Sequence, residues 1–243
     1  MLTTLRFRPA PLACAASAAC ALLCAAGAQA KTEEREVPAF TAVHLASGIK
    51  GTIEIGPRKA LRLEASEETL ARIETVVEDG QLRVGFKRTS GWGGNWNSGD
   101  VRVTVTTPEL REVSASGGAE VTAALASNPR GDELVVEVSG GGEAHLTGID
   151  TKRLEAQASG GARLELSGRT DELRLGLSGG AVLKGKKLTT RDLRISGSGG
   201  AVATLQATGE ARGSLSGGSQ LHLKGGAKSR VKTSGGSEVD GDE

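Results

Sequence analysis

Three carboxylates and one imidazole recur at matching places in this chain. Glu120 and Glu143 each stand four residues beyond the serine of a Ser-Gly-Gly phrase, His145 lies two residues after Glu143, and Glu165 takes the place of His145 one repeat later. On stacked strands Glu120 and Glu143 fall one rung apart, about 5 Å, with His145 beside them. Two carboxylates at about that separation are the equipment of a retaining glycosidase. The competing reading is a solvated face, because Arg163 is next in the column of Glu120 and Glu143 and offers a simple ion pair.

Trp92 and Trp96 form a second candidate. They are the two tryptophans of a chain with three Phe and no Tyr, and they sit in the polar stretch TSGWGGNWNSGD, residues 89–100. A Trp face suits stacking on a sugar ring or gripping a protein partner. Folding back over exposed strand edges is the alternative use of the same side chains.

Other chemistry finds less support. His145 and His222 share a column but lie four rungs apart, roughly 19 Å at the strand spacing, too far to share an ion. His44 has no evident partner. Asp132, Asp150, Asp171 and Asp192 recur about once per repeat. They lack the Gly-Gly-x-Gly-x-Asp pattern of calcium-binding rolls, and aspartate is common in turns for local hydrogen-bonding reasons. No Gly-x-Ser-x-Gly elbow is present, and the Ser-Gly-Gly phrases lie between strands instead of before a helix, so nucleophilic and phosphate-loop chemistry are set aside. No cofactor and no metal site is expected.

The elements that must carry these side chains are set by the repeat itself. Ser-Gly-Gly begins at Ser116, Ser139, Ser159, Ser178, Ser198, Ser216 and Ser234, in steps of 23, 20, 19, 20, 18 and 18 residues. Five residues beyond each serine stands an apolar residue: Val121, Ala144, Leu164, Leu183, Ala203, Leu221 and Val239. Five residues before it stand Leu134, Leu154, Leu173 and Leu193, and three before it Val136, Ala156, Leu175 and Ile195. Period two on both sides of the glycines predicts two β-strands per unit with the odd positions inward. Glycine suits the corner between them, where backbone crowds backbone and φ turns positive. A ladder of hydrogen-bonded serine hydroxyls is a further expectation. A unit this short cannot form a core alone and must stack in parallel on its neighbours. The fold class predicted is all-β: a single-domain, right-handed parallel β-helix, a solenoid of nine or ten rungs.

Upstream, extended segments are expected at Phe40 to Leu45, Ile49 to Ile55, Leu61 to Leu63, Ile73 to Val77, Leu82 to Phe86 and Val101 to Val105. Ser66 is placed to cap a helical turn, and Glu78-Asp79-Gly80 carries a hairpin signature, although its neighbours read equally well as stacked rungs. Phe40-x-x-Val43, Gly48 before Thr52 to Ile55, Val77-Glu78-Asp79-Gly80-x-Leu82, the valines before Pro108-x-Leu110, and the Ser-Gly-Gly series together resemble a secreted bacterial domain, the "putative auto-transporter adhesin, head GIN domain". The resemblance runs from about Val37 to the C-terminus. It implies a β-helix exported to the envelope; the family has no established function and offers no catalytic residues to carry over. No membrane barrel follows Gly241-Asp242-Glu243, so self-transport across an outer membrane is not expected.

Arg6 and Arg8 precede an apolar run over residues 10–26, and Ala28-Gln29-Ala30 supplies a cleavage site: a signal peptide over residues 1–30, with the domain at 31–243. Cys14, Cys20 and Cys24 all lie inside it, and Leu23 before Cys24 and Ala19 before Cys20 sit in poor lipoprotein contexts. Beyond Ala30 there is neither thiol chemistry nor a second apolar run of membrane-spanning length. Without Arg6 and Arg8, 28 basic residues face 29 acidic ones. That balance excludes an electrostatic case for nucleic acid. The function expected is a non-catalytic envelope or surface module contacting a glycan or protein, in the periplasm or outside the cell. The alternatives are a polysaccharide-active enzyme using Glu120, Glu143 and Glu165, and a scaffold that self-associates through its terminal rungs.

Overall fold

The computed structural model describes residues 30–87 and 100–241. The chain runs through β1 (Lys31–Arg35), β2 (Ala42–Ala46), β3 (Lys50–Ile55), β4 (Leu61–Ala65), helix α1 (Glu67–Arg72), β5 (Ile73–Glu78), β6 (Gln81–Phe86), β7 (Arg102–Thr107), β8 (Glu112–Ser116), β9 (Glu120–Ala124) and β10 (Gly131–Val138). Three long strands follow, β11 (Glu143–Ala158), β12 (Arg163–Leu177) and β13 (Val182–Gly197), each passing around a bend from one side of the rod to the other. The chain ends with β14 (Val202–Ala207), β15 (Glu210–Leu215), β16 (Gln220–Lys224), β17 (Lys228–Thr233) and β18 (Glu238–Gly241).

Parallel stacking makes this a β-solenoid of about six turns, extended at its N-terminal end by two further rungs. Each rung has a leading side before the Ser-Gly-Gly corner and a trailing side after it. The leading side stacks β6, β2, β8, β10, β11, β12, β13, β15 and β17. The trailing side stacks β7, β3, β9, β11, β12, β13, β14, β16 and β18. Nine layers at the strand spacing make a rod of roughly 38 Å. Backbone amides tie layer to layer around the corner as well as along the strands: Ser178 N–H donates to Ala158 O at 2.9 Å and Gly200 N–H to Gly179 O at 2.8 Å.

The predicted parity holds. Val121, Leu164, Leu183 and Leu221 on the trailing side, and Leu154, Leu173 and Leu193 on the leading side, are at most 1% exposed and belong to one continuous core. Burial of each such leucine contributes about 1.5–3 kcal/mol. The pattern thins at the last rung, where Val231 and Val239 are half-buried, and at the strand ends Ile55 and Phe86 of the N-terminal rungs.

Two features depart from the sequence-based picture. Chain order is not stacking order at the N-terminal end: the rung β2/β3 lies between β6/β7 and β8/β9. The chain lays down β2/β3, runs out through β4, α1 and β5, returns as β6/β7 on one side of that first rung, and then crosses to its other side as β8. The serine ladder also does not form. The corner serines are joined through their backbones, and where the hydroxyls bond along the stack, as Ser216 Oγ to Gly197 O at 3.4 Å and Ser234 Oγ to Leu215 O at 3.5 Å, they reach carbonyls.

The Asp79-Gly80 turn is a true hairpin joining antiparallel β5 and β6, with both φ angles positive at 50° and 75°. That pair of angles suits a type I′ turn. β4 runs antiparallel on β7 and β1 antiparallel on β4, so antiparallel strands cover this end of the rod. Helix α1 bridges β4 and β5, with Ser66 Oγ accepting from Thr69 N–H at 3.3 Å and Leu70 buried beneath it.

Three successive rungs have a second fixed bend. Thr151, Thr170 and Thr190 lie eight residues before a corner serine and are at most 6% exposed. Their hydroxyls donate to the carbonyls of Arg153 (3.2 Å), Glu172 (3.1 Å) and Asp192 (2.9 Å), two residues onward in each case. A buried hydroxyl that finds a carbonyl avoids the desolvation cost of an unmade bond, and here it pins the turn into the leading side.

Candidate functional site

The structure gathers Glu120, Glu143, His145 and Glu165 on the outward trailing side. Glu120 pairs in register with Glu143, and His145 with Glu165. Their company is basic: Arg163 Nη1 holds Glu143 Oε1 at 2.8 Å, and His145 Nδ1 lies 3.5 Å from Glu165 Oε2. All four of these paired side chains are exposed, and pairs of that kind stabilise by about 0–1 kcal/mol. Glu120, Glu143 and Glu165 stand exposed on this open side. Trp92 and Trp96 lie outside the described residues.

The leading side carries an arrangement that the sequence reading passed over. Four residues before the corner serine, successive rungs place Arg174, Arg194, Arg212 and Arg230 in direct register. Two carboxylates at the bend interleave with them. Glu172 Oε1 lies 3.2 Å from Arg174 Nε and 3.3 Å from Arg194 Nε. Glu210 is held by Arg212 and, at 3.3 Å, by Arg230 Nε. Burial pushes the Glu172 carboxyl up, but the hydrogen bond from Arg174 and the charges of Arg174 and Arg194 outweigh it, leaving the group below the usual range. The hydrogen bond from Arg212 similarly holds Glu210 down. Two residues further along each strand the outward positions are small, with Gly176, Ser196 and Ser214, and a shallow groove of about 460 Å³ runs over Gly176 and Ser196 beside the arginines. The recurrence was present in the sequence as Arg at minus four from Ser178, Ser198, Ser216 and Ser234.

A recess of about 670 Å³ opens where the segment between β9 and β10 leaves the rod, lined by Arg111, Arg130, Asp132 and Asp150 among others. Its charges are matched internally. Arg130 reaches Asp171 at 3.0 Å and Asp150 at 3.6 Å, Lys152 reaches Asp132 at 2.6 Å, and Arg169 reaches Asp150 at 2.7 Å. The hydrogen bond from Arg169 keeps the Asp150 carboxyl below its ordinary value. The fourth of the turn acids, Asp192, is held the same way by Arg191 at 3.0 Å. Asp132, Asp150 and Asp171 therefore act as counterions between rungs, while Asp192 pairs within its own rung and accepts from the backbone N–H of Glu210 on the next at 3.3 Å.

Against known proteins, residues 39–227 match the family described as "putative auto-transporter adhesin, head GIN domain". The chain belongs to the head GIN family. The fold of this head GIN chain is seen in solved structures: a putative adhesin from Bacteroides fragilis superimposes with a TM-score of 0.74 at 19% identity, covering 88% of this chain and 96% of the other. A putative lipid binding protein from Parabacteroides distasonis gives 0.66 at 15% identity, with 88% and 97% covered. A putative adhesin from Parabacteroides merdae gives 0.61 at 18% identity, with the same coverage. At these identities the likeness shows the fold alone. No curated protein matches the chain.

Proposed function

We propose that this head GIN chain is an exported, non-catalytic interaction module of the bacterial envelope or cell surface that contacts its partner through the long sides of the solenoid. The observation that supports this most is the pairing on those sides. The carboxylates best placed for chemistry, Glu143 and Glu165, are tied to Arg163 and His145 on an open face, which suits a contact surface and does not suit a reaction. Solenoid sides are extended surfaces of the kind that bind polymers and proteins. The family name and the adhesin neighbours agree with that reading.

Export is supported by the leader and by where the fold begins. Cleavage after Ala30 leaves β1, which starts at Lys31, intact. Among the described residues no helix is long and apolar enough to cross a membrane. Expression of the full chain in a bacterial host, followed by fractionation and mass measurement of the N-terminus, tests this: a product beginning at Lys31 outside the cytoplasm is expected. A full-length product retained in the cytoplasm sinks the export reading. Contact is tested by incubating that product with envelope polysaccharides; saturable binding without cleavage is expected, and cleavage restores the enzyme reading.

A further inference from the structure

We infer that the leading side of the last four rungs is a binding site for a linear anionic polysaccharide, whose carboxylate or sulfate groups seat on the guanidinium groups of Arg174, Arg194, Arg212 and Arg230. The inference deepens the interaction-module reading and rests on it.

The first ground is the register. Arg174 pairs with Arg194, Arg194 with Arg212, and Arg212 with Arg230, so four guanidinium groups rise one above another. At the strand spacing they span roughly 14 Å along the rod. Like charges directly opposite one another on neighbouring strands are destabilising. Glu172 and Glu210 offset that repulsion within the two pairs they bridge, but among the described residues no carboxylate is shared across the Arg194–Arg212 step, and a ligand that neutralises the column offsets it there.

The second ground is what Glu172 and Glu210 leave unspent. Each carboxylate is shared by two arginines of the column, and Arg174, Arg194 and Arg230 meet them through Nε. A guanidinium has five N–H donors, so the Nη groups of those three keep donors for an oxyanion, and a planar fork matches a carboxylate or sulfate edge. Lys228 and Lys232 flank the column on the last rung. Against these six cations stand Glu172, Glu210, Asp192 and Glu155, the last in register with Arg174 at the foot of the column, and Asp192 is itself held by Arg191.

The third ground is the shape of the strip beside the column. Outward positions two residues on are Gly176, Ser196, Ser214 and Lys232, and the corner serines come next. A polymer can lie close to that strip, and its hydroxyls meet serine hydroxyls there. The strip carries no apolar side chain. A membrane-binding face joins basic residues to apolar ones that enter the lipid, so a soluble chain of anionic sugars fits this face better than a lipid surface. The trailing side of the same rungs, with Val182 and Val202 outward and its charges mixed, lacks these features.

The test uses protein from Lys31 onward, which contains every described strand, titrated with polygalacturonate, dextran sulfate, neutral dextran and vesicles containing phosphatidylglycerol. Binding to one or both acidic polymers is expected, with neutral dextran inert; the two polymers separate carboxylate from sulfate as the preferred group. Arg194→Ser/Arg212→Ser is expected to weaken that binding about tenfold or more and to flatten its salt dependence by about two charges. Arg163→Gln/Lys184→Gln on the trailing side is expected to leave it unchanged. Should the serine pair fail to fold, Arg194→Lys/Arg212→Lys keeps the charges and removes the forks, and a several-fold loss is still expected. Failure to bind either acidic polymer, equal loss from the trailing-side pair, or tighter binding to vesicles than to polymer overturns the inference. Neutral dextran or envelope polysaccharide that binds and is insensitive to Arg194→Ser/Arg212→Ser overturns the ladder alone and leaves the interaction-module reading standing.

Discussion

Arg194 and Arg212 lie opposite each other on neighbouring parallel strands, and each is steadied by a different carboxylate, Arg194 by Glu172 at 3.3 Å and Arg212 by Glu210. The column is thus built from separate two-rung units, with a carboxylate at the bend serving two arginines. The solenoid makes such a column possible because its strands stack in register and repeat the same outward position on every turn.

The corner of rung β2/β3 is made differently from the Ser-Gly-Gly corners. Ser47 occupies the place that the first glycine holds elsewhere, next to Gly117 in the stack, and adopts φ 63°. A side chain costs roughly 1–2 kcal/mol in that region, partly offset by the extra freedom glycine has when unfolded. Ser47→Gly is therefore expected to raise stability by about 0.5 kcal/mol, read as a higher denaturation midpoint with an unchanged slope. A lowered midpoint contradicts the account of the corner.

The glycines of the corner phrases are not all equivalent. At Gly217, φ is +80° and an added Cβ stands 2.7 Å from Gly199 O, whereas at Gly161 nothing lies within 4 Å and φ is not positive. Gly217→Ala is expected to destabilise by about 2 kcal/mol or more, and Gly161→Ala to be neutral or to stabilise by up to about 1 kcal/mol. Equal effects at the two sites show that the stack does not hold the corner as described.

Thr190 is fully buried, and its hydroxyl donates to Asp192 O at 2.9 Å. Thr190→Val keeps the shape and removes the donor, so a loss of about 1–2 kcal/mol is expected, seen in chemical denaturation. A neutral outcome means the threonine bend is incidental.

The pH dependence has two parts. Asp150, Asp192, Glu172 and Glu210 are held below the ordinary carboxylate range, so their stabilisation is present at neutral pH and is lost as pH falls below about 4. His44 is held below its ordinary value by burial, with Arg83 nearby adding to the effect. A base that resists protonation in the fold binds its proton more readily when unfolded, so stability begins to fall as pH drops through about 6.5. Melting curves across pH are expected to show a shallow decline from there and a steep one in acid, and His44→Asn to remove the shallow part only.

Much of the solenoid was legible because its code is local. Val121, Leu164 and Leu221 at plus five, and Leu154 and Leu173 at minus five, declare parity, inward face and parallel stacking without reference to any distant residue. The insertion of β2/β3 between β6/β7 and β8/β9 left no such mark, since its Val43, Leu45 and Ile53 obey the same parity wherever the rung is placed in the stack. Asp79-Gly80 carried the turn chemistry but not the choice between hairpin and rung. Thr151, Thr170 and Thr190 at minus eight, and the arginines at minus four, were visible in the repeat. Neither recurrence distinguishes itself in the sequence, because arginine is ordinary on a solvated face and a threonine's burial depends on the rung packed beside it, while Glu143 and Glu165, which do share a face, are paired with Arg163 and His145.

The central claim, contact without catalysis along a solenoid side, is tested most directly by one pull-down in which protein from Lys31 onward is incubated with envelope polysaccharide and the polymer is sized before and after. The account predicts saturable retention of the polymer at undiminished length. Shortened polymer, or none retained under any salt condition, contradicts it.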